Sequence, residues 1–329
     1  MRRRVDLRNH LRENLYIRDL PGFLFKQKLS HCCLTILLFF IFPGYTKAQF
    51  LQPADTLNSK RVNIVGIGGG LVYASATTAL SIAWYGDYPR QTFGFFNDND
   101  QWLLMDKAGH ALTGYQVGRY GFESLQWAGI SAPVSSLIGG SYSLLFLTTL
   151  EVLDGYSAGW GFSLGDMAAN VTGVGLFVGQ QFLWNEQRVA MKFSYSPTNL
   201  TGFRPELLGS SHPERIFKDY NGQTVWLSVN PASFFPEREI LPWLNIALGY
   251  GANGMLGGSD NPLANRAGEI LPVMDRYRQY YLSLDIDLSR IETRSNVLKT
   301  IFSVVGFVKI PAPAIEFSHG DIQWHWIHF

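Results

Sequence analysis

The sequence predicts an α+β protein: an apolar four-helix, membrane-associated bundle followed by a β-rich C-terminal module. Three observations carry this. Two long stretches, residues 62–85 and 128–150, hold no formal charge. After residue 188 the apolar residues turn short, β-branched and aromatic, with partial alternation. Charged residues make up only 16% of the chain, against about 25% in ordinary soluble domains.

The N-terminal 49 residues read as a targeting segment. Lys26 and Lys28 precede an apolar run from Cys32 to Phe42, broken by Pro43-Gly44 and followed by small residues. Basic, apolar, small is the order of a secretory signal, and the run is short of the ~20 residues a bilayer span requires. These residues hold nine Lys/Arg against three acids, which leaves 18 basic and 23 acidic residues to the remainder. The mature chain is therefore mildly acidic, which argues against a nucleic-acid partner and leaves membrane lipid as the expected one. Both cysteines, Cys32 and Cys33, fall in the same segment, so removal of it also removes disulfides and thiol chemistry.

Residues 50–61 form a polar linker, and the apolar helical module spans 62–188. Its helices are expected over 62–85, 106–122, 128–150 and 163–184. Three of them are apolar nearly all round, as helices in lipid or in a large core are. Small residues recur at four-residue spacing in Gly114/Gly118, Gly165/Ala169/Gly173 and Gly175/Gly179, a pattern of close helix approach in membranes. The run Gly66-Ile67-Gly68-Gly69-Gly70 lacks the third glycine of a dinucleotide fingerprint and is read as close helix packing. The C-terminal module, 189–329, offers strands at 189–195, 223–229, 243–250 and 279–288. Residues 295–308 fit strand or helix. The terminal alternation of bulky residues, ending in Phe329, resembles the last strand of outer-membrane barrels.

Against this apolar background a few polar residues stand out. Asp106, Lys107 and His110 share a helix face; Glu151 and Asp154 end the third helix; Ser163, Asp166 and Asn170 open the fourth. Singly, each has a structural reading. Ser163 and Asp166 fit a capping box, and Asp106 favours a helix N-terminus. Together they form a candidate site, because ionisable groups are expensive in such surroundings. His110 could act as acid or base tuned by Asp106, Glu151 or Asp154. Alternatively, His110 with Glu151, Asp154 and Asp166 could hold a divalent metal. No defined zinc spacing occurs, so metal and cofactor stay open.

The pattern D-K-x-x-H, then E-x-x-D, then S-x-x-D-x-x-x-N-x-x-G is carried here by Asp106, Lys107, His110, Glu151, Asp154, Ser163, Asp166, Asn170 and Gly173. It resembles the YfiM-like predicted periplasmic lipoproteins, domain of unknown function 2279, and more distantly the VanZ-like membrane proteins. The resemblance covers about residues 100–185. It implies an envelope location, on the periplasmic side or at the outer membrane, and singles out the same polar set. The chain departs from it in lacking a lipobox cysteine and in adding the β-rich half. Three functions stand as expectations: an envelope protein whose cluster fixes helix packing or binds a lipid headgroup, a hydrolase or transferase acting on a lipid or cell-wall precursor through His110, and a β-structured outer-membrane protein.

Overall fold

The computed structural model describes residues 52–86 and 88–329. The expected targeting segment lies outside them. Helix α1 spans Ser59–Tyr85, starting inside the expected linker because the Asn58 side chain caps it by accepting from Arg61 N at 3.1 Å. Helix α2, Met105–Trp127, runs five residues beyond the expected end. Helix α3, Ala132–Gly155, begins four residues later than expected. Gly129 (φ +81°) breaks the chain there, and Pro133 fits only the first turn of the new helix. Helix α4 is Leu164–Trp184.

Glycines set how closely α2, α3 and α4 pack. A Cβ on Gly173 would lie 1.9 Å from the Ala111 carbonyl oxygen, and one on Gly139 would lie 2.6 Å from that of Gly118. Two of the expected small-residue contacts are not formed. Gly175 and Gly179 face no neighbour within 4 Å, and neither do Gly66, Gly68 and Gly70. Of the α1 run, Gly69 alone meets a neighbour, accepting from the Tyr142 hydroxyl of α3 at 2.9 Å. The apolar side chains of α1, including Ile64, Ile67, Leu71 and Val72, are exposed.

Six antiparallel strands follow as a simple meander, each paired with the next. They are β1 Val189–Tyr195, β2 Gln223–Val229, β3 Leu244–Asn253, β4 Tyr277–Ile286, β5 Ala312–Ser318 and β6 Asp321–His328. The ambiguous segment after β4 is a helix, α5, Asn296–Val305, capped by Ser295. Strand β5 carries no clear alternation signal, because Pro311 and Pro313 interrupt it.

The sheet is polar inside and apolar outside. Leu227, Leu248, Leu282, Ile315 and Trp324 pair across five strands in one outward row. The alternate row holds Trp226, Gly249, Tyr281 and Glu316. The sheet curls strongly: Lys192 on β1 reaches Asp285 on β4 at 2.6 Å, although three strand spacings would separate them by about 14 Å in a flat sheet. Gly249 makes room for the Trp226 indole, which a Cβ there would meet at 2.7 Å. A polar cavity of about 560 Å³ opens on this inner side, lined in part by Gln279, Tyr281, Glu316, His325 and His328.

Helix α2 lies against the outer side of β1 and β2. Leu112, Tyr115 and Phe177 form one core with Met191 and Val225. Gln116 donates to the Met191 carbonyl, and the Gln180 side-chain oxygen accepts from Val189 N at 2.8 Å.

Candidate functional site

The polar residues gather where α2 and α4 begin and α3 ends. Two aromatic-rich loops pair to bring these ends together: Phe96 N donates to Phe162 O at 2.9 Å. Phe93 packs edge-on against Phe95 and Tyr156, with ring centroids at 5.5 and 5.2 Å. This pairing carries Asp98 to Ser163, whose hydroxyl donates to it at 2.6 Å.

Ser163 caps α4 by accepting from Asp166 N at 3.0 Å, as the capping-box reading expects. The reciprocal half of the box is absent. Ser163 N donates instead to Glu151 Oε2 at 3.2 Å, which leaves the Asp166 carboxylate free to face α2.

Lys107 ties three acids. Its Nζ lies 2.7 Å from Asp98, 2.7 Å from Asp166 and 3.1 Å from Asp106. The contact with Asp166 Oδ1 is an ion pair set outside hydrogen-bonding angles. Burial pushes the Lys107 ammonium down, but these carboxylates outweigh it and hold the group above its ordinary range. Burial likewise pushes Asp98 up, and hydrogen bonds from Lys107 and Ser163 bring it below its ordinary range. Both groups therefore stay charged.

His110 occupies the other half of the site. Its Nδ1 is 3.0 Å from Asn170 Oδ1. Its Nε2 is 3.8 Å from Asp106 Oδ1, 3.8 Å from Glu151 Oε1 and 3.7 Å from Asp166 Oδ1. Glu151, Asp166 and Asn170 are buried, whereas His110 and Asp106 keep partial access to solvent. Gly173 stands one turn beyond Asn170 and lets α4 approach α2 closely enough for the Asn170–His110 contact.

The structure thus brings together Asp106, Lys107, His110, Glu151, Ser163, Asp166 and Asn170. Asp154 is set apart: it forms no ion pair with His110 and faces the Tyr85 hydroxyl of α1. Two members were missed from sequence. Asp98 lies in a loop, and Tyr220, whose hydroxyl donates to Asp106 Oδ1 at 3.0 Å, comes from just before β2. Their contacts span 65 and 114 residues, and no local spacing encodes them.

The approach to α2 is strained. Trp102, Leu103 and Leu104 have φ of 48°, 49° and 71°, a left-handed run without glycine. Such residues cost about 1–3 kcal/mol each and persist only where surrounding contacts hold them. Here Trp102 N donates to Gly258 O at 2.8 Å, and the Tyr250 hydroxyl of β3 donates to Leu103 O.

Residues 93–180 match the family described as predicted periplasmic lipoprotein, domain of unknown function 2279. The matched stretch contains every member of the site except Tyr220, and it covers a little over a quarter of the chain. Neither the curated proteins nor the solved structures contain a match to this chain. The match supports the family resemblance for the helical module; nothing found bears on the VanZ-like similarity.

Proposed function

We propose that this chain is a cell-envelope protein held at a membrane by its apolar helices, whose helix-end polar centre binds a lipid headgroup. The family match supports an envelope, periplasmic location. Residues Ser59–Ile82 and Ala132–Gly155 are each 24 residues long with mean hydropathy 1.4, long and apolar enough to cross a bilayer. The observation that carries the reading is the convergence of Asp98, Asp106, Glu151 and Asp166 on Lys107 and His110 at one end of this apolar bundle. Carboxylates outnumber cations there, so the headgroup chemistry that fits is a positively charged one, such as the ammonium of an ethanolamine lipid. The test is a titration of delipidated protein in detergent with short-chain phosphatidylethanolamine. Asp106→Asn and Asp166→Asn should each weaken binding at least tenfold while far-UV circular dichroism is unchanged. Equal binding by all three proteins would overturn the reading.

A second reading, a β-structured outer-membrane protein, is favoured by the sheet's reversed polarity. Apolar side chains outward and polar ones inward is the arrangement of strands facing lipid. Leu248 is 52% exposed and Trp324 53% exposed in the outward row. Heat-modifiable migration in detergent gels and co-fractionation with outer-membrane markers are expected; fractionation with inner-membrane markers would remove this reading.

A further inference from the structure

The imidazole of His110 has its two nitrogens in different surroundings. An amide oxygen only accepts, so the 3.0 Å contact with Asn170 Oδ1 places a hydrogen on Nδ1. Nε2 then points at Asp106 Oδ1, Glu151 Oε1 and Asp166 Oδ1, all within 3.8 Å of it. The ligand atoms of Asp106, His110 and Asp166 also lie within 4.8 Å of one another. Lys107 meets the same group through Asp98, Asp106 Oδ2 and Asp166 Oδ1, so with Glu151 one ammonium is set against four carboxylates.

Two buried carboxylate oxygens beside Nε2 have no hydrogen-bond partner. Glu151 is 1% exposed, and its Oε1 accepts nothing although its Oε2 is satisfied by Ser163 N. Asp166 is 4% exposed, and its Oδ1 accepts no hydrogen bond. A buried carboxylate oxygen left bare is costly unless a cation or donor meets it.

We propose that His110 Nε2, Asp106 Oδ1, Asp166 Oδ1 and Glu151 Oε1 form a binding site for one divalent transition-metal ion, Zn²⁺ or Mn²⁺. Atoms held about 2.1 Å from a single ion stand roughly 3.4 Å apart at the corners of a tetrahedron. The separations from His110 Nε2, 3.7 and 3.8 Å, are wider by only a few tenths of an ångström; Asp106, His110 and Asp166 lie within 4.8 Å of one another, and Glu151 Oε1 flanks this trio from the Nε2 side. One imidazole with three carboxylates suits zinc or manganese better than calcium or magnesium. Asn170 fixes the ring in the tautomer that presents Nε2 as the ligand, the usual task of a residue behind a metal-bound histidine. Three helices contribute ligands, so the site exists only in the packed bundle. The proposal rests on reading the helix-end centre as the working site; the metal ion and a headgroup ammonium draw on the same carboxylates, so the two occupants exclude one another.

The test uses the full chain in detergent, stripped with EDTA and dialysed. Zn²⁺ is titrated by competition with a chromophoric chelator, and Mn²⁺ by loss of the free-ion paramagnetic resonance signal. One ion per chain is expected, with little binding of Mg²⁺ or Ca²⁺ at the same concentrations. Glu151→Gln keeps the side-chain volume and should weaken binding at least tenfold, as should His110→Ala, while Asp154→Asn should bind as the parent does. Circular dichroism on each variant separates lost ligands from lost fold. Absence of a stoichiometric ion, or a folded Glu151→Gln that binds like the parent, overturns the proposal. Vesicle flotation of the same stripped protein reports on the membrane reading separately, since it needs no metal.

Discussion

At the residue scale, the molecule places ions in two buried settings that differ in how completely they are balanced. In the sheet, Lys192 and Asp285 pair at 2.6 Å with almost no exposure, and Ser228 and Ile310 N satisfy the remaining carboxylate valences. Such a closed pair is costly to break, because the surviving partner is left as a bare buried charge. Lys192→Met should therefore cost about 3–5 kcal/mol, and Lys192→Met with Asp285→Leu should cost less than the two losses summed, although it strands buried Lys309, which is also drawn to Asp285. Denaturant unfolding in detergent measures both; an additive loss in the double variant would contradict the pairing. The helix-end centre is open by comparison, since Glu151 Oε1 and Asn170 Nδ2 lack partners. Its chief members were legible from sequence because Asp106, Lys107 and His110 are charged residues in a stretch that otherwise avoids charge. Asp154, grouped with them from sequence, faces the Tyr85 hydroxyl and forms no ion pair with His110. A separation of three residues puts Glu151 and Asp154 on adjacent positions of one helix, but only the angle of α3 to its neighbours decides which of the two faces His110.

At the element scale, helix packing depends on particular glycines, and the sequence pattern overstates how many. Gly173 and Gly175 belong to the same helix and sit in stretches of the same four-residue periodicity. Only Gly173 meets another backbone. Gly173→Ala should push α4 off α2 and cost about 1–3 kcal/mol or more through overpacking. Gly175→Ala should be neutral or stabilising by up to about 1 kcal/mol, since it fills no occupied space and removes backbone freedom. Thermal melts of the two variants make the comparison, and equal losses would show that the stripe acts as a unit. Helix existence was readable because uncharged runs of more than 20 residues leave few alternatives. Helix ends were readable where a cap was present, as at Ser163, and displaced where a turn decided the start, as at Gly129. The first two strands lie where alternation puts them. The fifth was hidden by its prolines, and 295–308 could not be assigned because short apolar runs fit either period.

At the scale of the whole molecule, the two halves share a core and a site. Leu112, Tyr115 and Phe177 from the helices pack with Met191 and Val225 from the sheet. Tyr220 reaches Asp106 from the sheet side. The family match spans residues 93–180, so it covers α2, α3 and most of α4 but neither α1 nor any strand. In this chain the sheet brings an additional hydroxyl to a centre otherwise made from the matched stretch. The curled sheet also explains how a polar strand face can be tolerated: its inner side chains satisfy one another, as Trp226 Nε1 does with Ser194 at 2.8 Å and Gln279 with Glu316 at 2.7 Å.

The left-handed run at Trp102–Leu104 bears on the order in which this protein matures. Those three residues set the entry of α2, and therefore the position of Asp106, yet the hydroxyl that holds them belongs to Tyr250, almost 150 residues later. During synthesis the four helices leave the ribosome first, with their carboxylates close to hand but without the clamp that fixes the first of them. The centre is completed only when the third strand arrives, so a nascent or C-terminally clipped chain carries the helices without a finished centre.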